Sequence, residues 1–425
     1  MATLSNGKLY IKKRPPLERI AILILLAPFF TPFLSEFLGL PDAVKFLADV
    51  LLILTLGALS LRRRVRVGRR LRPLVSLVLF FIAFSLIVYL FQYQSILYFL
   101  WGLRNKFRGY AAFFAFVFFL GEDTADGMFR LFDGLFWLNA AVCFVQYFFL
   151  GLSRDYLGGL FGSQIGCNGP LILFLTVMTA RSLLRVMNGD ERLSSALLKS
   201  AAALLIAAVG ELKFFYPVFL LVLVLAAVVT RFSFKKFLLF FGGALLVILT
   251  SRLLGSLFTA FDRFLSFDNL WSALTLSHYA TADDIGRLTA IPYISSNFLP
   301  SFPQKLVGIG LGNGDSSSLA FLNTPFFEQY SYIHYHYFMS AFLFLEVGYV
   351  GLILFLLFFV LCLIYAVRSL KAGTGNRLYH QLAIVMVPVC LILTFYNSSF
   401  YMDCAFLAYF VLALPFISNR ERPLL

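Results

Sequence analysis

The sequence predicts an all-α polytopic membrane protein, with about twelve transmembrane helices and one long extracytoplasmic loop between the ninth and the tenth. Three observations predict it. Hydrophobic residues make up 60% of the 425-residue chain and charged residues 13%, at a mean hydropathy of +0.87; a soluble domain is about 45–50% apolar and about 25% charged. Apolar runs of about 20 residues, each long enough to cross a bilayer, recur along the whole length. These runs are continuous, whereas a transmembrane β-barrel shows alternating segments of roughly ten residues. A soluble enzyme of this composition would expose apolar patches far beyond the few hundred Å² that monomers tolerate. Soluble and disordered classes are therefore excluded. The 52 Phe residues fit lipid-facing and interhelical packing and point to no particular chemistry.

The spans follow in order. The first is expected over 18–38 and the second over 43–61. The basic run Arg62-Arg63-Arg64-Val65-Arg66-Val67-Gly68-Arg69-Arg70-Leu71-Arg72 separates them from the third, over 73–93. The fourth, over 97–120, carries Arg104, Lys106 and Arg108 in its outer part. The fifth, over 128–150, leads to an outer loop at 151–166, and the sixth, over 168–187, returns to a charged inner loop at 188–194. The tight outer turn Gly210-Glu211-Leu212-Lys213 joins the seventh (195–210) to the eighth (214–230). An inner loop at 231–236 leads to the ninth, over 237–258. Residues 259–333 then hold no spanning segment; Trp271, Phe298, Phe302, Phe321, Phe326 and Phe327 make this stretch too apolar for a linker and suggest a folded cap on the membrane surface. The tenth (336–360), eleventh (381–397) and twelfth (400–417) spans follow, the last two joined by an outer turn at 397–403. Three parts result: an N-terminal bundle at 1–258, an extracytoplasmic loop at 259–335 and C-terminal helices at 336–425.

The net charge of +14 is explained by position. Beside the run at 62–72 stand Lys8, Lys12, Lys13 and Arg14, then Lys235 and Lys236, then Arg368, Lys371 and Arg377, then Arg420 and Arg422. All lie in short segments next to apolar runs, the pattern of cytoplasmic loops under the positive-inside rule. Both termini are expected in the cytoplasm, with no cleavable signal peptide and no nucleic-acid partner. The five cysteines, Cys143, Cys167, Cys362, Cys390 and Cys404, show no CxxC pair or zinc-like spacing. Cys167 and Cys404 fall near the expected outer face, where a disulfide between them is open although no spacing argues for it.

Candidate chemistry lies in cations on the outer side, where the positive-inside bias depletes them. Arg154, Lys213, Arg263, Arg287 and Lys305 fall there, and Arg104 and Arg108, four residues apart, share one face of the fourth helix. Charge inside a span defaults to a functional reading, and the planar fork of arginine suits phosphate; the alternative is snorkelling to outer headgroups. In the long loop, Gly308-Ile309-Gly310-Leu311-Gly312-Asn313-Gly314-Asp315 has alternate glycines whose N–H groups could cradle an anion, or simply a turn packed on the cap. Where that loop re-enters the membrane stands Tyr332-Ile333-His334-Tyr335-His336-Tyr337, which places a general base, or an interfacial aromatic belt, at the mouth of a span. Asp283-Asp284 reads as a solvated turn.

The order of Gly286-Arg287, the glycine turn at 308–312, His334-Tyr335-His336 and Glu346-Val347-Gly348-Tyr349-Val350-Gly351 resembles the O-antigen polymerase and O-antigen ligase superfamily of bacterial surface-polysaccharide assembly. Leu103-Arg104-Asn105, Gly158-Gly159-Leu160-Phe161-Gly162, Asn168 and Glu211-Leu212-Lys213 look like its polymerase branch. In the ligase-like pattern the histidine stands eleven residues before the first helix glycine, here the position of Tyr337, while His336 stands twelve before Gly348; this favours a polymerase. The resemblance implies a GT-C-like, inverting, metal-independent glycosyltransferase with no cofactor in the bacterial cytoplasmic membrane. Its donor would be an undecaprenyl-diphosphate-linked glycan and its acceptor a lipid-linked repeat unit, with a chain-length regulator as a further partner. It implies His336 as the base, Arg287 and Arg104 at the diphosphate, Arg108, Arg154 and Lys213 as further diphosphate-binding groups, and Gly308, Gly310 and Gly312 shaping the loop beside it. A ligase that moves finished polymer to lipid A-core shares this site. A lipid-linked oligosaccharide flippase would instead need cations lining a cavity through both halves and helices broken at midplane.

Overall fold

A computed structural model describes residues 2–5, 8–11, 15–36, 38–61, 67–92, 94–230, 234–257, 284–317 and 319–419. The basic residues 12–14, 62–66, 420 and 422, and Arg263, Trp271, His278 and Asp283 of the long loop, lie outside the described residues. A short antiparallel hairpin pairs Ala2–Ser5 with Lys8–Ile11, Thr3 opposite Tyr10. The other regular elements among the described residues are helical.

Each apolar segment of the sequence falls on a helix. In chain order these are α1 (Pro16–Glu36), α2 (Leu47–Ser60), α3 (Arg72–Gln92), α4 (Ile96–Phe119), α5 (Glu122–Phe148), α6 (Asn168–Asn188), α7 (Leu193–Val209), α8 (Phe215–Val229) and α9 (Phe234–Leu257). Three short helices follow in the long connection, α10 (Ala290–Asn297), α11 (Phe302–Val307) and α12 (Pro325–Tyr330). The chain closes with α13 (Met339–Ala372), α14 (Arg377–Tyr396) and α15 (Ala405–Ser418). Among the described residues seven helices are long and apolar enough to cross a membrane: α1, α2 with the turn before it, α3, α5, α6, α13 and α14. The protein is thus a helical membrane protein. Helix α4 has the length but carries Arg104, Lys106 and Arg108, and α7, α8 and α15 are apolar but shorter.

Several helices begin three to six residues from their expected positions: α9 and α14 start three and four residues early, and α2 and α15 four and five residues late. Helix α5 starts six residues early because Glu122 and Asp123 suit the positive end of a helix dipole. Helix α13 starts three residues late, since His334 is left-handed and 335–337 form a 3-10 turn, and it continues to Ala372. It is broken at Gly348 (φ 62°, ψ −164°), and the stretch after the break, 349–372, spans roughly 36 Å, enough for the about 30 Å of a hydrocarbon core.

Helices α6 and α15 are buried on almost every face, and α4 packs on α15. Helix α14 packs on α13, α6 and α8, so the C-terminal helices interleave with the N-terminal ones around one core. Outside it, α3 turns Leu79, Phe80, Ile87, Leu90 and Phe91 outward, the apolar exposure that lipid accepts and water does not. In the connection, Phe298 packs on Phe326 and Tyr330, ring centroids 5.1 and 4.8 Å apart, as a cap core. Phe302 and Phe321, expected in that core, are instead exposed. All five cysteines are free; Cys167 Sγ donates to the Asp155 carbonyl and Cys404 Sγ to that of Ser399, which removes the Cys167–Cys404 disulfide.

One contact requires glycine on both sides. Gly312 has φ +89°, and a Cβ on Gly102 would lie 2.5 Å from the Gly312 Cα. The glycine turn therefore lies directly on α4. Gly102→Val is expected to cost about 1–3 kcal/mol by overpacking and to lower the melting temperature in detergent, whereas Gly57→Val, at an open position on α2, leaves it near wild type.

Candidate functional site

The helix ends sort into two groups. At one end Glu18 of α1 meets Thr124, Tyr379 donates to Asp126, and Asn188 donates to Gln381. At the other, Glu36 accepts from Ser163, Arg104 meets Asp49, and Phe214 stacks on Tyr396 with ring centroids 3.5 Å apart. The glycine turn, the two histidines and every cation singled out for diphosphate binding, among the described residues, lie at this second end.

At its centre is Lys106 of α4, fully buried. Its Nζ lies 2.6 Å from Asp315 Oδ1 and 2.7 Å from Glu346 Oε2, both buried as well. Asn105 Nδ2 donates to Asp315 Oδ2 and to the Tyr401 hydroxyl, which itself donates to Asp315 Oδ1. The Gly314 N–H donates to Glu346 Oε1 at 3.0 Å. Glu346 is placed by a break in α13, where Gly348 has φ 62° and ψ −164°. Beside the break, the carbonyls of Leu345 and Glu346 accept from the N–H groups of Ile309 and Gly310, each at 2.9 Å. The Gly308 N–H donates to the Gln304 carbonyl. These N–H groups join the turn to α11 and α13; packing, the second of the two sequence readings of this turn, describes their use.

Arg104, Arg108 and Arg154 have carboxylate neighbours. Arg104 pairs with Asp49 and lies 4.7 Å over the Trp101 ring. Arg108 pairs with Asp403 at 2.5 Å and donates to the Tyr401 carbonyl. Burial holds the Asp403 carboxyl above its ordinary value, with the Arg108 guanidinium opposing the rise only in part. Arg154 lies on the surface with Nε 3.1 Å from Glu211 Oε1. Lys213 stands two residues after Glu211 and beside Phe214, whose partner Tyr396 also lies under Arg287. The Arg287 guanidinium is 4.3 Å from that ring centroid, and its Nε donates to the Tyr396 carbonyl at 3.3 Å. The structure thus places Arg287 on the Phe214–Tyr396 stack, sets Arg154 on Glu211 in the turn that precedes Phe214, and holds Arg104 and Arg108 beside Asp49 and Asp403.

The two histidines have different surroundings. Tyr335, between them, donates its hydroxyl to the Gly314 carbonyl at 2.5 Å and anchors the segment to the glycine turn. His336 packs edge-on against Phe327, and its Nδ1 is buried without a hydrogen-bond partner. Burial, and secondarily the nearby His334, push its pKa down to about 4. His334 stacks on Tyr337, and its Nδ1 lies 2.5 Å from Asp284 Oδ1. Asp284 is 2% exposed, so the solvated-turn reading of this residue is corrected: it is a buried partner of His334. With the carboxylate as acceptor, Nδ1 carries the proton and Nε2 becomes the basic nitrogen. Sequence reasoning passed over this pair because fifty residues separate its members.

The three non-glycine residues of positive φ among the described residues are Arg154, Glu211 and His334. All three are at this end, and two form the Arg154–Glu211 ion pair. Such backbone conformations concentrate at functional sites. Among the described residues no group of three or more His, Cys, Asp and Glu converges as a metal site would require. No family model matches the chain, and no curated protein matches it in sequence.

Two outcomes are expected. Lys106→Met leaves two buried carboxylates facing each other and costs about 3–5 kcal/mol, read as a large fall in melting temperature; Lys106→Met combined with Glu346→Gln and Asp315→Asn recovers part of it. The depressed His336 pKa means that the unfolded chain binds this proton and the folded one does not between pH 6.5 and about 4. Stability from this group is therefore full above pH 6.5 and falls as pH falls toward 4. Melting curves at pH 7 and pH 5 should differ less for His336→Gln than for wild type.

Proposed function

We propose that the protein is a polysaccharide polymerase: a glycosyltransferase that moves glycan from an undecaprenyl-diphosphate-linked donor to a lipid-linked repeat-unit acceptor at the outer face of the bacterial cytoplasmic membrane. The observation that carries this reading is the His334–Asp284 pair beside Arg287, at the end of the bundle where the long connection lies. Arg287 CZ is 5.8 Å from the Phe338 ring, four residues after His334. The Ile285 N–H donates to the Ile333 carbonyl at 3.2 Å, which lays the segment carrying Asp284 and Arg287 along the one carrying His334, so that a base and a cation stand on adjoining segments, as transfer from a diphosphate donor requires.

In this reading the chain crosses the membrane twelve times, with both termini cytoplasmic and the 259–335 connection outside. The acceptor hydroxyl attacks the anomeric carbon of the donor sugar. Its proton passes to His334 Nε2, Asp284 stabilises the imidazolium, and the bond from carbon to diphosphate oxygen breaks with its electron pair leaving on the diphosphate. Configuration inverts in a single displacement. Arg287, with Lys213 and Arg154 at the rim, stabilises the developing charge. His336 serves packing, because a base with so low a pKa takes a proton weakly. Arg104 and Arg108 hold the outer ends of α2, α4 and α15 together. An O-antigen ligase would use the same groups on a different acceptor.

The test is a reconstitution. Purified protein in liposomes with a polyprenyl-diphosphate-linked repeat unit should yield lipid-linked dimers and longer products. His334→Gln and Arg287→Ala should each lose roughly 10²-fold in rate or more, while His336→Gln stays within a few-fold. Products only when lipid A-core is added would identify a ligase. Absence of any glycan transfer with either acceptor would overturn the reading.

A further inference from the structure

The opposite end of the bundle holds a cleft of about 390 Å³ between the start of α3, the last turns of α13 and the end of α15. Its mouth carries Arg69, Arg70 and Arg368, all exposed. None of the three has a carboxylate within ion-pair distance among the described residues. Its floor is apolar: Tyr365 and Phe416 stack with ring centroids 4.0 Å apart, and Leu361 and Ile364 continue that wall. Thr374 also lines the cleft, and its Oγ1 is buried without a hydrogen-bond partner among the described residues.

Every feature of this cleft calls for one kind of molecule. Three exposed guanidinium groups, without a carboxylate partner among the described residues, call for a phosphate. A buried, unpartnered hydroxyl calls for a polar group carried inside. From Arg368 to Leu361 the helix rises roughly 10 Å, so charge gives way to hydrocarbon over about the depth of a headgroup and glycerol. We propose that this cleft is a binding site for an anionic glycerophospholipid of the inner leaflet, its phosphate held by Arg69, Arg70 and Arg368, its glycerol oxygens beside Thr374 and one acyl chain along Ile364 and Leu361. A free phosphate fits the mouth but leaves the apolar wall uncovered. A zwitterionic lipid covers the wall but places its own cation among three arginines. Basic pockets between membrane helices on the cytoplasmic side are suited to anionic headgroups for this reason. The inference rests on the membrane fold and is independent of glycosyl transfer.

Native mass spectrometry of the full-length protein, released from detergent with added phosphatidylglycerol, phosphatidylcholine or inorganic phosphate, tests it. Phosphatidylglycerol should remain bound in preference to phosphatidylcholine and raise the melting temperature. The triple variant Arg69→Gln/Arg70→Gln/Arg368→Gln should lose roughly a hundredfold in that affinity; the three side chains are exposed, so folding is retained. Ile364→Trp keeps every charge and fills the wall, and should also lower lipid occupancy. Equal retention of the two lipids, unchanged binding in both variants, or displacement of the lipid by millimolar inorganic phosphate would each overturn the proposal.

Discussion

The buried Lys106, clamped between Asp315 and Glu346, is the interaction on which the candidate site depends. One cation and two carboxylates in a dry interior are costly to desolvate, and such a group is weak support for stability as such. Its value here is in specifying position. The three residues come from α4, the glycine turn and α13, separated by more than two hundred residues at the widest. Asn105, Tyr401 and the Gly314 N–H complete the hydrogen bonding of the acids. A turn shifted by one residue would leave charges buried without partners, so only one register is tolerated.

That register then fixes the histidines. Gly314 donates its N–H to Glu346 and accepts the Tyr335 hydroxyl through its carbonyl. Tyr335 is thereby anchored, and the residues on either side are forced into unlike surroundings. His336 goes inward against Phe327. His334, at φ 56°, takes the edge and meets Asp284. The left-handed backbone at His334 is held by the anchor that follows it. The chain of cause runs from an ion triad through a tyrosine hydroxyl to the orientation of a single imidazole.

Much of the fold was legible in the sequence, because long apolar runs declare helices through length alone. The cations of α4 were legible as anomalies, but their roles were not. Arg104, Lys106 and Arg108 find Asp49, Asp315, Glu346 and Asp403, and no local pattern links residues so distant. Spacing treated Asp284 as half of an acidic turn, whereas tertiary contact made it the partner of His334. The glycine turn was recognised, yet the use of its N–H groups depended on a helix break at Gly348 that only the fold reveals. The choice between two neighbouring histidines was likewise beyond a one-dimensional reading, since burial separates them and sequence distance does not.

Both ends of the bundle pair cations with carboxylates, Arg181, Arg185 and Lys199 with Asp133 and Glu191 at the end away from the histidines; what bears on the proposed orientation is the exposed charge that remains. At the histidine end, Arg104, Lys106, Arg108 and Arg154 each sit beside a carboxylate. Such paired cations add little net positive charge to the adjoining surface. At the other end Arg69, Arg70 and Arg368 are exposed with no carboxylate partner among the described residues, and Lys371 and Arg377 are exposed beside them. The positive-inside rule concerns exposed Lys and Arg close to the ends of spans. Counted in that way, these four paired cations cease to be exceptions to the rule. Lys106 and Arg108 are part of the protein interior and Arg154, on the surface, is balanced by Glu211; the surface asymmetry that remains favours the proposed orientation, with the arginine cleft cytoplasmic and the His334–Asp284 pair on the far side of the membrane.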